Sequence, residues 1–137
     1  MKQKGWAEDN PIYLREWRGR WIRSNDSIVY KYSEDKNIAN TLPWGEHDWH
    51  FILGVDLGYE DATAFIIGAF CEDLPDFYIV EDYKSSKMLP SDIAEKIKQY
   101  DREYDFRVMV ADTGGLGKSI VEEFRYRHGL AIRAAEK

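Results

Sequence analysis

The sequence predicts an α/β domain with a mixed sheet, in which three antiparallel strands are followed by two helix–strand units. Short apolar runs separated by turn residues occupy residues 51–83, and two stretches with helical periodicity follow them. A further apolar run comes after each helical stretch. Strands joined by short turns pair antiparallel, whereas strands joined through a helix run parallel in a right-handed crossover. The order β-β-β-α-β-α-β therefore favours one sheet with its helices outside.

The first half of this pattern is a run of three predicted strands, at residues 51–56, 62–70 and 77–83. The connecting residues 58–61 and 72–76 are short and rich in Gly, Pro, Asp and Glu, which favour turns over strands. Connections of this length join neighbouring antiparallel strands. We therefore expect these three strands to form consecutive hairpins.

The second half alternates helices and strands. A helix is predicted over residues 90–104, a strand over 107–111, a second helix over 116–128 and a last strand over 130–134, with Gly129 ending the second helix. Apolar residues at helical spacing are expected to face the sheet: Ile93, Ala94, Ile97, Tyr100, Ile120, Val121 and Phe124. The fourth strand is then expected to lie beside the first and parallel to it.

Two aspartates end the first and fourth predicted strands. Asp56 and Asp112 each follow a strand-like apolar run, and glycine comes within two residues of each. Ligands of open α/β sheets bind at the carboxyl ends of strands, and two adjacent carboxylates repel unless a cation lies between them. The pair therefore predicts a divalent metal site, with Asp61 of the first turn as a weaker third candidate. The alternative is that each aspartate only caps its turn or the following helix.

Composition limits the remaining classes of function. The chain has 137 residues, of which 44% are hydrophobic and 32% charged, and this length allows one domain with a core. No apolar run is long enough to span a membrane, and no signal peptide follows Met1. The formal charge of −6 argues against a generic polyanion binder. The single cysteine, Cys71, is interpreted as a small buried strand residue, and the three histidines lack the spacing of zinc ligands.

The first 50 residues differ from the rest of the chain. Four of the five tryptophans lie within the first 45 residues, and residues 28–32 alternate like a short strand. Residues 33–50 are polar and include a turn signal at 43–45. Aromatic anchors without a repeating pattern are typical of a connector that packs on a neighbouring domain.

Three stretches of sequence together carry a resemblance to a known family. They are residues 54–64 (GVDLGYEDATA), 110–117 (VADTGGLG) and 134–137 (AAEK). In this order and spacing they resemble the nuclease domain of the large terminase subunit of tailed phages, which has a ribonuclease H-like fold. Residues 14–21 (LREWRGRW) are similar to the stretch that joins the packaging ATPase of that family to its nuclease.

The resemblance implies a DNA-packaging protein whose nuclease cuts concatemeric double-stranded viral DNA. Asp56 and Asp112 match two of the family's acidic metal ligands, which hold two Mg²⁺ or Mn²⁺ ions for phosphodiester hydrolysis. A third acidic ligand is expected from an element beyond Lys137, so the chain is expected to be a truncated form.

The same resemblance implies a domain organisation and a set of partners. Residues 1–50 would be the linker and the end of an ATPase domain, and residues 51–137 the N-terminal part of the nuclease domain. The implied partners are double-stranded DNA, the small terminase subunit and the portal. The implied location is the host cytoplasm, with no membrane partner.

The residues after Asp112 offer further interpretations. Gly115, Lys118 and Ser119 are candidates for contacts to a DNA phosphate at a helix N-terminus. Residues 113–119 also imitate a nucleotide-binding loop, but Asp112 stands at the position of its first glycine and would repel phosphate. No nucleotide site is therefore assigned, although the two aspartate loops loosely resemble those of an actin-like ATPase. A non-catalytic docking module is the other alternative, and the missing third carboxylate favours it.

Overall fold

The computed structural model of the protein describes residues 32–113 and 117–135. The chain divides into two compact units, Met1–Leu42 and Pro43–Lys137. In the first unit, the described residues contain one single-turn helix, α1 (Glu34–Asn37). The Asn37 side chain accepts a hydrogen bond from the Ser33 N–H at 2.8 Å, which holds this turn. The strand predicted over residues 28–32 falls almost entirely outside the described residues.

The second unit is built on a five-stranded mixed sheet with the strand order β3-β2-β1-β4-β5. Its strands are β1 (His50–Asp56), β2 (Thr63–Phe70), β3 (Tyr78–Ser85), β4 (Val108–Asp112) and β5 (Ile132–Ala134). The pairs β1–β2 and β2–β3 are antiparallel, and the pairs β1–β4 and β4–β5 are parallel. The predicted fold class is therefore confirmed, including the parallel placement of the fourth strand beside the first.

Two helices provide the crossovers, α2 (Pro90–Tyr104) and α3 (Gly117–Tyr126). Pro90 opens α2, and the Asp92 side chain accepts a hydrogen bond from the Leu89 N–H, which satisfies a donor that the first turn leaves free. The helix α3 ends at Tyr126, two residues before the predicted end, and residues 127–128 form a turn. Gly129 has a φ of 67°, so it ends this segment as predicted. None of the described helices combines the length and the apolar character needed to cross a bilayer.

The core lies between one face of the sheet and these two helices. Leu53, Val55, Phe65 and Ile67 of the central strands are almost fully buried, and Phe124 of α3 has no exposed surface. The helical residues predicted to face inward are buried, except for Ile120, which is half-buried. Burial of this apolar surface is the main stabilising contribution to the unit.

A half-buried polar contact joins α2 to the edge of the sheet. Tyr100 and Tyr104 of α2 each donate a hydroxyl hydrogen bond to Glu81 of β3, at 2.9 and 2.7 Å. These two hydrogen bonds lower the pKa of the Glu81 carboxyl. Burial raises the pKa of Tyr100, and the hydrogen bond to Glu81 raises the pKa of Tyr104 to about 12.

This contact predicts a pH dependence of stability. A carboxyl whose pKa is lowered by folding stabilises the fold above its unfolded-state pKa, near 4.5, and loses that contribution as the pH falls through the folded value. We expect Glu81→Gln to lower the free energy of unfolding by about 1–2 kcal/mol at pH 7. The difference from the unmodified chain should shrink below about pH 4.5, as measured by urea denaturation.

Glu122→Gln, on the exposed side of α3, is the matched control for this change. It removes a carboxylate without removing the tyrosine hydrogen bonds, so its stability should stay within about 0.5 kcal/mol of the unmodified chain. A Glu81→Gln variant that differs from the unmodified chain by the same amount at every pH would contradict the expectation.

Candidate metal centre

The strand β1 carries Asp56 at its carboxyl end, in the middle of the sheet and on the face opposite to the two helices. Leu53 and Val55 are buried in the core, whereas Gly54 and Asp56 are exposed, because alternate residues of a strand point to opposite faces. Among the described residues, a Cβ added at Gly54 would approach only the Ile66 carbonyl oxygen, at 3.9 Å. No described side chain therefore covers the backbone of β1 at this point, two residues before Asp56.

The neighbouring strand β4 brings Asp112 to the same place. Met109 and Ala111 are buried, and Asp112 is exposed on the face that carries Asp56. In the parallel register, Asp56 lies opposite Asp112. Adjacent strands are about 4.8 Å apart, so the two side chains project from neighbouring positions. The sequence predicted this strand arrangement, while the binding of a metal by the two carboxylates stays a prediction.

The turn after Asp56 is held by a buried threonine. Thr63 has no exposed surface, and its hydroxyl donates a hydrogen bond to the Gly58 carbonyl oxygen at 2.6 Å. The same hydroxyl accepts a hydrogen bond from the Gly58 N–H at 3.3 Å. A Cβ at Gly58 would lie 2.8 Å from the Asp61 carbonyl oxygen and 3.0 Å from that of Ala62. Glycine is therefore required where the turn closes on itself, two residues after Asp56.

A second contact supports the same turn from outside. The Lys87 N–H donates a hydrogen bond to the Tyr59 carbonyl oxygen at 2.9 Å. Lys87 has a φ of 57°, in the left-handed region that residues other than glycine seldom adopt. The connection between β3 and α2 thus lies against the β1–β2 turn, which restricts the position of the chain that follows Asp56.

The other predicted site residues have different positions. Asp61 lies exposed in the β1–β2 turn. Lys118 and Ser119 are exposed in the first turn of α3, the helix that follows β4. Gly115 lies outside the described residues. The structure therefore brings Asp56 and Asp112 together on one face and places Lys118 and Ser119 on the helix that follows them.

Two cations on the same face were missed by the sequence reasoning. Lys84 of β3 lies opposite Ala64, which in turn lies opposite Asp56, so the three share one row across the sheet. On the other side, Arg133 of β5 lies opposite Val110, two residues before Asp112 in β4. Both cations are exposed. The signal that identifies them is the register of β3 on β2 and of β5 on β4, which the sequence did not predict.

The donor set suits a hard divalent cation. Carboxylate oxygens are the ligands that Mg²⁺ prefers, and Mn²⁺ accepts them equally. Two carboxylates supply two negative charges, which a divalent ion would neutralise. Mg²⁺ sites in proteins usually combine one or two carboxylates with water and substrate phosphate. The pair Asp56 and Asp112 therefore fits the ions that the sequence predicted.

A second group of potential ligands lies elsewhere, and the sequence reasoning missed it. His47, Cys71 and Asp73 have their ligand atoms within 4.8 Å of one another. Burial and the neighbouring Asp73 carboxylate raise the pKa of the Cys71 thiol. Hydrogen bonds from Cys71 and His47 lower the pKa of Asp73. The histidines lack zinc-ligand spacing among themselves, but one of them lies beside a thiol and a carboxylate that are distant in sequence.

Comparison with solved structures shows where this fold is known. The large terminase of a thermophilic bacteriophage matches 77% of this chain with a TM-score of 0.60 and 15% sequence identity. The nuclease domain of the P22 large terminase matches 75% of the chain with a TM-score of 0.59 and 15% identity. The nuclease domain of the large terminase (g2p) of bacteriophage SPP1, with bound Mn, matches 64% with a TM-score of 0.53 and 20% identity.

The matches differ in how much of each relative they cover. The chain spans 27% of the terminase from the thermophilic phage, and 54% and 49% of the P22 and SPP1 nuclease domains. No family model matches the sequence, and no curated protein matches it significantly. At this level of identity the likeness concerns the fold. The resemblance seen in the sequence is thereby confirmed structurally: the chain has the ribonuclease H-like fold of the nuclease domains of phage large terminases.

Proposed function

We propose that this chain is the N-terminal part of the nuclease domain of a phage large terminase, and that Asp56 and Asp112 bind divalent metal ions for the hydrolysis of double-stranded DNA. The observation that carries the proposal is the register of β1 and β4, which sets these two aspartates opposite each other on one exposed face. The fold supports it independently, because two solved terminase nuclease domains share it.

The chemistry follows from the residues on this face. Bound Mg²⁺ or Mn²⁺ would polarise the scissile phosphate and make water a stronger nucleophile. Asp56 and Asp112 would hold the ions at the carboxyl ends of β1 and β4, and the turn fixed by Thr63 limits the movement of the chain after Asp56. The SPP1 nuclease domain was solved with bound Mn, which supports a divalent ion in this fold. We propose two ions and a third acidic ligand outside the described residues.

Cations beside the acidic pair would orient the DNA. Lys84 and Arg133 lie on either side of the two aspartates, on the same face. Lys118 is exposed in the first turn of α3. Positive groups at these positions would attract phosphate groups flanking the scissile bond, and they would offset the repulsion between DNA and a chain of net charge −6.

A wider role follows from the same proposal. The nuclease would cut concatemeric viral DNA during packaging, in the host cytoplasm, with the small terminase subunit and the portal as partners. Residues 1–50 would connect the nuclease to an ATPase domain. These assignments extend the resemblance of the sequence to the whole packaging protein.

Calorimetric titration with Mn²⁺ and with Mg²⁺ tests the metal site directly. We expect Asp56→Asn and Asp112→Asn each to weaken Mn²⁺ binding at least about tenfold, because each removes a charged ligand. Asp82→Asn is the matched control, since Asp82 is an exposed carboxylate on the edge strand β3. Binding that is equal in all four proteins would reject the site. Binding that appears only with a nucleotide would favour an actin-like ATPase instead.

A further inference from the structure

His47, Cys71 and Asp73 meet at the end of the sheet that is opposite to Asp56 and Asp112. His47 lies before β1, Cys71 directly follows β2, and Asp73 lies in the turn between β2 and β3. Because β1 and β2 are antiparallel, with His50 opposite Phe70, the beginning of β1 lies beside the end of β2. Residues that are more than twenty positions apart in the sequence therefore become neighbours.

The histidine ring is oriented in the way that metal-binding histidines usually are. Its Nε2 lies 3.3 Å from the Trp44 carbonyl oxygen, which accepts a hydrogen bond in the tautomer that carries the proton on Nε2. Ligating histidines commonly donate their second ring N–H to such a carbonyl. The other nitrogen, Nδ1, lies 2.5 Å from Asp73 Oδ2. In the tautomer that carries its proton on Nε2, the Nδ1 lone pair is directed at the Asp73 carboxylate, so Nδ1 is the ring nitrogen placed to bind a metal ion.

The cysteine completes a group with three kinds of donor. Cys71 is only 4% exposed, and its thiol forms a hydrogen bond with the Asp73 carboxylate. The backbone N–H groups of Asp73 and Leu74 also approach its sulfur. On the other side, Trp49 packs edge-on against His47 and Tyr78, with both ring centroids 5.7 Å away. The sulfur is therefore sheltered, while the Asp73 side chain is 56% exposed and open to an incoming ion.

We propose that His47, Cys71 and Asp73 form a second metal site, which binds Zn²⁺ or a similar first-row transition ion through Nδ1, Sγ and a carboxylate oxygen. A mixed set of nitrogen, sulfur and oxygen donors suits Zn²⁺, whereas Mg²⁺ and Ca²⁺ prefer oxygen alone. Three protein ligands leave the fourth tetrahedral position for water or another ligand.

The charges and the geometry agree with a zinc site. Binding releases the thiol proton, and the thiolate and carboxylate then balance the charge of Zn²⁺. Two ligands on one tetrahedral ion lie about 3.3 Å apart at the usual bond lengths, so the 2.5 Å contact between Nδ1 and Oδ2 must open on binding. Asp73 can make this movement, since it lies exposed in a turn. The ion would then fasten the segment before β1 to the β2–β3 turn.

Cobalt spectroscopy tests the site without relying on nuclease activity. Cys71 is the only cysteine among the 137 residues, so a thiolate-to-Co²⁺ charge-transfer band reports this site alone. With the reduced chain and one equivalent of Co²⁺, we expect this band to appear and to disappear when Zn²⁺ displaces the cobalt. The double variant Asp56→Asn/Asp112→Asn should retain the band, which separates this site from the proposed nuclease centre.

Single substitutions then identify the ligands. Cys71→Ser should abolish the band, and His47→Gln and Asp73→Asn should each weaken Co²⁺ binding at least about tenfold. His50→Gln and Glu72→Gln are matched controls in the same region and should bind Co²⁺ as the unmodified chain does. The absence of a band from the unmodified chain would overturn the proposal. The proposal would also be overturned if both His47→Gln and Asp73→Asn bound Co²⁺ as tightly as the unmodified chain. Because Asp73 is exposed, Asp73→Asn should fold, and it therefore tests the site even if Cys71→Ser does not fold.

Discussion

Asparagine in place of Asp56 or Asp112 is expected to reduce the rate of Mn²⁺-dependent plasmid nicking at least about 100-fold. The reason is that metal ions contribute several kcal/mol to the stabilisation of a phosphodiester transition state, and about 1.4 kcal/mol corresponds to a tenfold change in rate. Asparagine keeps the shape of the side chain and removes its charge. The expected loss of nicking rate therefore reports the contribution of the carboxylate charge, and not a change in the folding of β1 or β4.

The double variant distinguishes this mechanism from two independent contacts. Residues that hold the same ions act as a unit, so Asp56→Asn/Asp112→Asn should be no slower than the slower single variant. Asp82→Asn should nick plasmid at the rate of the unmodified chain. Nicking that survives in both single variants would disprove the assignment. If the chain binds Mn²⁺ through both aspartates but leaves the plasmid intact, we would infer that cleavage requires the proposed third acidic ligand.

The sequence predicted the strand pairing correctly where buried and exposed residues alternate along the central strands β1 and β4. In β1 and β4 the apolar residues that face the core set the register of the strands, and the aspartates then fall on the opposite face at the ends of both. The short turns fixed the antiparallel pairs, and the helices fixed the parallel ones. For these reasons the position of Asp56 beside Asp112 could be predicted without any long-range contact being known.

The edge strand β3 could not be predicted in the same way. Its pairing with β2 shifts between Ile67 and Gly68, so that Glu81 lies opposite Ile67 while Ile79 lies opposite Gly68. This irregularity places Glu81 on the core side, where the two tyrosines of α2 contact it, and leaves Ile79 exposed. Simple alternation would have put both residues on one face. A bulge has no dependable signal in a single sequence.

The second ligand group escaped prediction for a related reason. His47 and Asp73 lie in connections outside the strands, and their approach depends on the length of the β1–β2 hairpin rather than on local spacing. Searches for zinc sites in a sequence rely on ligands a few residues apart. Of the three residues, only Cys71 and Asp73 lie a few positions apart, and one such pair does not predict a zinc site.

The other large effect is expected in the core. Phe124→Ala should lower the free energy of unfolding by about 3–5 kcal/mol, because Phe124 is fully buried and alanine would leave a cavity that its neighbours fill only in part. Ordinary domains have a total stability of about 5–15 kcal/mol, so the variant should lose a large share of the free energy of unfolding. Urea denaturation followed by circular dichroism measures the loss.

Two further variants make this expectation specific to the packing of α3. Tyr126→Ala removes a side chain that is 85% exposed, two residues further along the same helix, and should change stability by less than about 0.5 kcal/mol. Phe124→Leu removes less volume and should lose less than Phe124→Ala, in a chain that remains folded. Equal, small losses in all three would mean that α3 does not pack on the sheet. Phe124 packs on the face of the sheet away from Asp56 and Asp112. We therefore expect Phe124→Leu to bind Mn²⁺ as the unmodified chain does, although its free energy of unfolding is lower. This result would show that stability and metal binding depend on opposite faces of the same sheet.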